Sequence, residues 1–157
     1  MSVTQAIKNI KESLHMADVL LVYWSGTGNT EIMAEKIKEG LESTGATVDY
    51  RNVDAVEASE VSGFDKILFG CPSMGVESLE EDEFEPFFEE AKSELAGKKV
   101  AIFGSYGWGD GEWMDAWEES VKETGANLYE SGFKINSTPS SEEEDECFEF
   151  GVAFGKY

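Results

Sequence analysis

Val19-Leu20-Leu21-Val22-Tyr23-Trp24-Ser25-Gly26-Thr27-Gly28-Asn29-Thr30 decides the fold. Its first half is an unbroken apolar run, the pattern of a strand covered on both faces. Its second half packs two glycines among four polar side chains. Beyond it, Met33, Ile37 and Leu41 fall on one helical stripe, with Glu31, Glu35, Lys36 and Lys38 elsewhere, and Gly45 supplies a stop. The spacing predicts a strand, a tight loop, and a helix over 29–44.

The same grammar recurs downstream. Thr47–Val53 reads as a second strand. Lys66–Cys71 reads as a third, ended by Pro72, which cannot donate to a ladder. Phe84, Phe87, Phe88 and Ala91 stripe a helix over 84–95, and Lys99–Gly104 is a fourth strand. Trp113, Trp117 and Val121 give the next helix its buried side. Asn127–Ile135 is a fifth strand region, and Cys147, Phe150, Gly151 and Phe154 stripe the last helix. Strand–helix alternation repeated five times predicts an α/β three-layer sandwich around a five-stranded parallel sheet with right-handed crossovers.

Residues 1–16 carry Val3, Ile7, Ile10 and Leu14 at helical spacing with Lys8 and Lys11 between them. They have no secretory h-region and no Arg, so they read as an N-terminal extension rather than a targeting signal. The domain is expected over 17–157. No apolar run of about 18 residues is present, so no membrane span is expected.

The chain has 157 residues, 33 Asp+Glu against 12 Lys+Arg, and a formal net charge of −21. Its one arginine is Arg51, which argues against nucleic acid and anionic membrane surfaces as partners. Disorder is excluded by 41% hydrophobic and 12% aromatic content. Cys71 and Cys147 lie far apart and His15 is alone, so neither a disulfide framework nor a metal cluster is expected, and a reducing cytoplasm is the expected compartment.

Ligands of such sheets bind at the carboxyl ends of the strands. The first loop there, Ser25-Gly26-Thr27-Gly28-Asn29-Thr30, offers backbone N–H groups, a helix N-terminus and hydroxyls, which together make an anion cradle. It lacks the Lys of a nucleoside-triphosphate loop, and Glu31 stands where a dinucleotide fingerprint needs its third Gly. A terminal monophosphate is the expected anion. Hydrogen bonds to a charged group contribute roughly 1.5–3 kcal/mol each. Carboxylates beyond about 8 Å are largely screened, so the cradle outweighs the net charge without a Lys or Arg in the loops.

The second loop is Pro72-Ser73-Met74-Gly75-Val76-Glu77, and the third is Ser105-Tyr106-Gly107-Trp108-Gly109-Asp110-Gly111. Trp108 between two glycines reads as an exposed stacking platform for a flat aromatic ligand, with Met74 and Gly75 facing its other side. Trp113 and Trp117, at i and i+4, read as core. Glu80–Glu83 and Glu142–Glu146 lie before or at the start of helices. They read as a solvated capping face, or as a field that steers cationic partners.

These motifs resemble the short-chain flavodoxins, FMN-binding electron carriers. The resemblance rests on Tyr23–Glu31, on Met74-Gly75 with Glu77, and on Gly104–Gly111, and it covers about residues 17–157. It implies sheet order 2-1-3-4-5 with FMN at the switch point. Ser25, Gly26, Thr27, Gly28, Asn29 and Thr30 would hold the phosphate, and Met74 and Trp108 would sandwich the isoalloxazine ring. The Gly75 carbonyl would turn to accept from flavin N5–H of the neutral semiquinone, and Glu77 would accept from N3–H. Gly107 and Gly109 would meet the pyrimidine edge, and Ser73, Val76, Ser105, Tyr106 and Asp110 belong to the same cofactor-binding loops. Val76 departs from the polar residue common in relatives.

The implied function is a low-potential one-electron carrier rather than an enzyme. It would work on the semiquinone/hydroquinone couple, with carboxylates destabilising the anionic reduced flavin. One carboxylate about 10 Å away contributes about 1.7 kcal/mol at an effective dielectric of 20. Redox proteins with basic docking surfaces, such as reductases and iron–sulfur oxidoreductases, are the implied partners of a monomer. The alternatives are an NAD(P)H-dependent flavin or quinone reductase and an FMN-binding activator of a partner enzyme.

Overall fold

The computed structural model describes residues 2–6, 17–75 and 77–157. Residues 3–6 are helical and Val3 is exposed; the rest of the helix expected in the extension, and Val76, lie outside the described residues.

Five strand positions form one parallel sheet. Strands β1 (Val19–Tyr23), β2 (Val48–Asn52), β3 (Lys66–Gly70), β4 (Lys99–Tyr106) and β5 (Asn127–Leu128) take the order β2-β1-β3-β4-β5, and β6 (Phe133–Asn136) also pairs with β4. Helices α1 (Asn29–Ser43), α2 (Phe84–Ala91), α3 (Glu112–Glu123) and α4 (Ser141–Lys156) cover it. The period-2 alternation of strands divides the core. Leu20, Val22, Ile67, Phe69, Val100 and Ile102 face the α2/α3 side with Phe84, Phe88, Trp113 and Trp117. Leu21, Leu68, Ala101 and Phe103 face the α1/α4 side with Met33, Ile37, Phe150 and Phe154. All five residues of β1 are buried, as its unbroken apolar run requires.

Helices α1 and α4 touch backbone to backbone. A Cβ at Gly40 would collide with the Phe148 carbonyl, and one at Gly151 would collide with the Ile37 carbonyl, so both positions need glycine for this approach.

Three expected elements differ. The β2-to-β3 crossover holds no α-helix, so alternation is not repeated five times. Two 3-10 helices, Val53–Ala55 and Ala58–Gly63, bury Val53 and Val61 instead. The helix over 84–95 ends at Ala91 and continues as a 3-10 turn, Lys92–Glu94. The fifth strand region is interrupted between β5 and β6, where Glu130 has φ 50 and the Gly132 N–H donates to the Glu118 carboxylate on α3.

The first acidic run is not a uniform solvated face. Glu80 is buried, and its carboxylate accepts from the N–H groups of Asp82, Glu83 and Phe84 at 2.7–3.1 Å. It satisfies amides that the start of α2 leaves unpaired. The second run opens α4, where Ser140 and Glu143 form a capping box.

Candidate functional site

The loops after β1, β3 and β4 meet at the carboxyl edge of the sheet. They border a cleft of about 210 Å3 lined by Gly26, Thr27 and Asn29, by Ser73 and Met74, and by Ser105, Tyr106 and Gly107.

In the first loop Gly28, at φ 99, is the residue from which α1 starts. Ser25 Oγ accepts from the N–H groups of Gly28 (3.1 Å) and Glu31 (3.2 Å). A hydroxyl oxygen that accepts twice still has its own proton to donate. Gly26 and Thr27 have N–H groups with no partner among the described residues. Asn29 and Thr30 open α1, where helix geometry supplies no carbonyl one turn back. The loop therefore offers amide donors without partners, but its hydroxyls do not all point at one ligand. Thr30 is buried; its Oγ1 lies 3.0 Å from Ser105 Oγ and accepts the Ser105 N–H at 3.3 Å. This pair locks the first loop to the third.

The second loop is anchored by the Ser73 N–H on the Ser105 carbonyl at 3.0 Å. Met74 and Ser78 exchange backbone hydrogen bonds at 2.8 and 3.1 Å, which closes a tight turn. Within it Gly75 has φ 51 and Glu77 has φ 57. A glutamate in the left-handed region is held there by its surroundings, at a cost of order 1–3 kcal/mol.

The Glu77 side chain identifies what holds it. Its Oε2 accepts the Trp113 N–H at 2.8 Å, at the start of α3. Its Oε1 is buried and has no partner. A Cβ at Gly109 would collide with Oε1, so the third loop lies directly against it. Trp108, beside Gly109, is 72% exposed. Trp113 and Trp117 are core, as expected, with Trp113 Nε1 donating to the Cys71 carbonyl at 3.3 Å.

Four further residues stand at the site outside the expected cofactor-binding set. Trp24 and Ser137 line the cleft. Thr138 Oγ1 donates to Asn29 Oδ1 at 3.0 Å, tying the loop after β6 to the first loop. Lys134, on β6, lies across Gly111 of the third loop. The loops contain no Lys or Arg themselves, but the fold brings one to them.

These residues fit FMN. A buried carboxylate oxygen costs free energy unless a donor reaches it, and the flavin edge carries a ring N–H. Unpaired amides on the first loop suit a phosphate. Burial pushes the Cys71 thiol at the foot of the second loop well above its ordinary value, which leaves it a neutral wall rather than a nucleophile.

The family model described as Flavodoxin matches residues 21–151. The flavodoxin of Clostridium beijerinckii is 49% identical over 131 residues, covering 83% of this chain and 94% of its own length. That of Megasphaera elsdenii is 46% identical over 138 residues, covering 88% and 98%. The solution structure of the two-electron reduced Megasphaera elsdenii flavodoxin superposes with TM-score 0.80 at 45% identity, covering 88% of this chain and 99% of that one. With its sheet order, its three loops and these relatives, the chain belongs to the flavodoxin family and is an FMN-binding electron-transfer protein.

Proposed function

We propose that this flavodoxin is a low-potential carrier in which the three loops divide the cofactor between them. Bound FMN supplies the ability to take up and release electrons singly. The Ser25–Thr30 loop holds the phosphate through the Gly26, Thr27, Asn29 and Thr30 amides and the Ser25 hydroxyl. Met74 and Trp108 flank the ring, and Gly107 and Gly109 present backbone groups to its pyrimidine edge. Glu77 Oε1 accepts the ring N–H there. Gly75 is at φ 51 in a turn closed on both sides by Met74 and Ser78, so a peptide rotation at this point leaves the strands undisturbed.

The observation that carries the assignment is the buried Glu77 Oε1 without a partner, pressed against Gly109. No other described carboxylate oxygen is orphaned in this way. The acidic surface disfavours added negative charge on the ring and suits redox partners with basic docking faces. Two buried free cysteines suit a reducing cytoplasm. Residues 17–157 form the cofactor domain, residues 1–16 are an extension, and the carrier acts as a monomer.

Reconstitution with FMN tests the reading. A yellow holoprotein that takes up dithionite electrons in two resolved single-electron steps, the second at low potential, supports it. Uptake of both electrons in one step overturns the single-electron role.

A further inference from the structure

The three cofactor loops contain no cation, yet one stands on the third of them. Lys134 is exposed on β6, and its Nζ donates to the Asp110 carbonyl at 3.4 Å. Gly111 makes room for it: a Cβ there would sit 2.8 Å from Nζ, 2.9 Å from Cδ and 3.2 Å from Cε of Lys134. The aliphatic stem therefore lies on the turn, and the charge ends beside Asp110.

Lys36, Lys38, Lys92 and Lys122 each pair with a glutamate, and Arg51 pairs with Asp49 and Glu60. Lys134 makes no ion pair among the described residues, although carboxylates outnumber cations 33 to 12. Lys66, Lys98, Lys99 and Lys156 also form no ion pair among the described residues, but Lys66, Lys98 and Lys99 donate to carbonyls outside the three loops, whereas Lys134 ends on one of these loops. Its positive charge is left uncancelled by contact. The same short turn carries Gly109, against Glu77 Oε1, and Gly111, against Lys134. An ammonium and one unpartnered carboxylate oxygen thus flank the three-residue stretch 109–111 of the third loop.

Resting on the assignment of these loops to FMN, we propose that Lys134 is a potential-setting residue. Its charge favours the cofactor carrying an extra electron and so holds the lower one-electron potential above the value that the surrounding carboxylates alone would set. A charge about 12 Å from the ring at an effective dielectric of 20 changes the affinity ratio between reduced and oxidised cofactor by about tenfold. For one electron that converts to about 59 mV.

The test uses holoprotein with Lys134→Gln and Lys134→Arg, potentiometric titration at low and high salt, and FMN dissociation constants of the apoproteins. Lys134→Gln is expected to lower the second potential by about 59 mV, with less effect at high salt, while Lys134→Arg stays near the unmodified protein. Binding of oxidised FMN changes little in either variant. An unchanged second potential in Lys134→Gln overturns the proposal. Equal drops in the Gln and Arg variants also overturn it, because tethering of Asp110 and not charge would then be responsible. Failure of the loop assignment reads differently, as FMN affinity and potentials that ignore Trp108→Ala.

Discussion

Glu77 gives one carboxylate oxygen to the Trp113 N–H at 2.8 Å and keeps the other buried with nothing to accept from. The first contact fixes the side chain against the start of α3, whose N-terminal amides favour a negative group. The second leaves an acceptor aimed beside Gly109. In the proposed function, a residue held at φ 57 and braced on one oxygen presents the other, already oriented, to the ring N–H.

Glu77→Gln is therefore expected to weaken FMN binding by about 10- to 100-fold, the equivalent of the roughly 1.5–3 kcal/mol carried by a hydrogen bond to a charged acceptor. The amide can still accept from Trp113 with its carbonyl, but then offers a donor where the flavin also offers one. Quenching of flavin fluorescence on titration into apoprotein measures it. Affinity within a factor of two of the unmodified protein would show that Oε1 meets no flavin donor.

Trp108→Ala separates cofactor binding from folding. The ring is 72% exposed and packs into neither face of the core, so apoprotein stability in urea should move by less than about 0.5 kcal/mol. FMN binding should fall, because ring stacking contributes about 1–3 kcal/mol per base in comparable sites. The second one-electron potential should rise as the apolar cover over the ring is lost. A stability loss equal to the binding loss would make Trp108 a core residue instead.

The parts of this structure legible from sequence are those with a period. The apolar run of β1 and the stripes of α1, α2, α3 and α4 announce their faces because burial repeats at fixed spacing. The β2-to-β3 crossover does not: Val53, Val56, Val61 and Phe64 are buried from two 3-10 turns, which match neither period 3.6 nor period 2. The break in the fifth strand depends on Glu118 of α3 reaching Gly132. In the site, the first and third loops are readable because glycines and hydroxyls cluster in a few residues. Thr138 on Asn29, 109 positions away, and Lys134 on Asp110, 24 away, are contacts created by folding. No local pattern marks either residue. Glu80 carries a similar lesson, since four acids in a row give no hint that the first is buried under the α2 amides.

Gly75→Ala examines the turn. At φ 51 an alanine costs about 1–2 kcal/mol relative to glycine. No atom lies within 4 Å of a Cβ there, so the cost is backbone alone. The variant should fold, bind oxidised FMN and show a smaller separation between the two one-electron potentials. An unchanged separation would mean that the Gly75 peptide keeps one orientation throughout.

Alkali should destabilise the fold through its thiols. Burial pushes Cys147 from 9.0 up to about 12, and Glu146, Glu143 and Glu144 on the same helix add to the shift. A group that ionises less readily when folded contributes stability that is fully present below its unfolded value and lost as pH rises toward the folded one. Urea midpoints should therefore hold steady below pH 9.0 and decline between 9.0 and about 12. Cys147→Ala lowers the midpoint below pH 9.0 by leaving a cavity, but its curve should decline less steeply above pH 9.0. Parallel curves would assign the alkaline loss to Cys71 and Tyr50, whose values burial also raises.

Gly109→Ala acts on Glu77 from the other side. At φ 85 the substitution carries the left-handed penalty, and its Cβ collides with Oε1 rather than with backbone. The carboxylate must rotate away or the loop must lift, and either movement separates the acceptor from the ring edge. FMN affinity should fall by at least the tenfold expected of a lost charged hydrogen bond. The two variants share one mechanism, so their effects should not add. In a double-mutant cycle Gly109→Ala should cost much less on the Glu77→Gln background than alone, with a coupling of about 0.5–3 kcal/mol. Additive losses would show that Gly109 serves the flavin through its own backbone, independently of the carboxylate it touches.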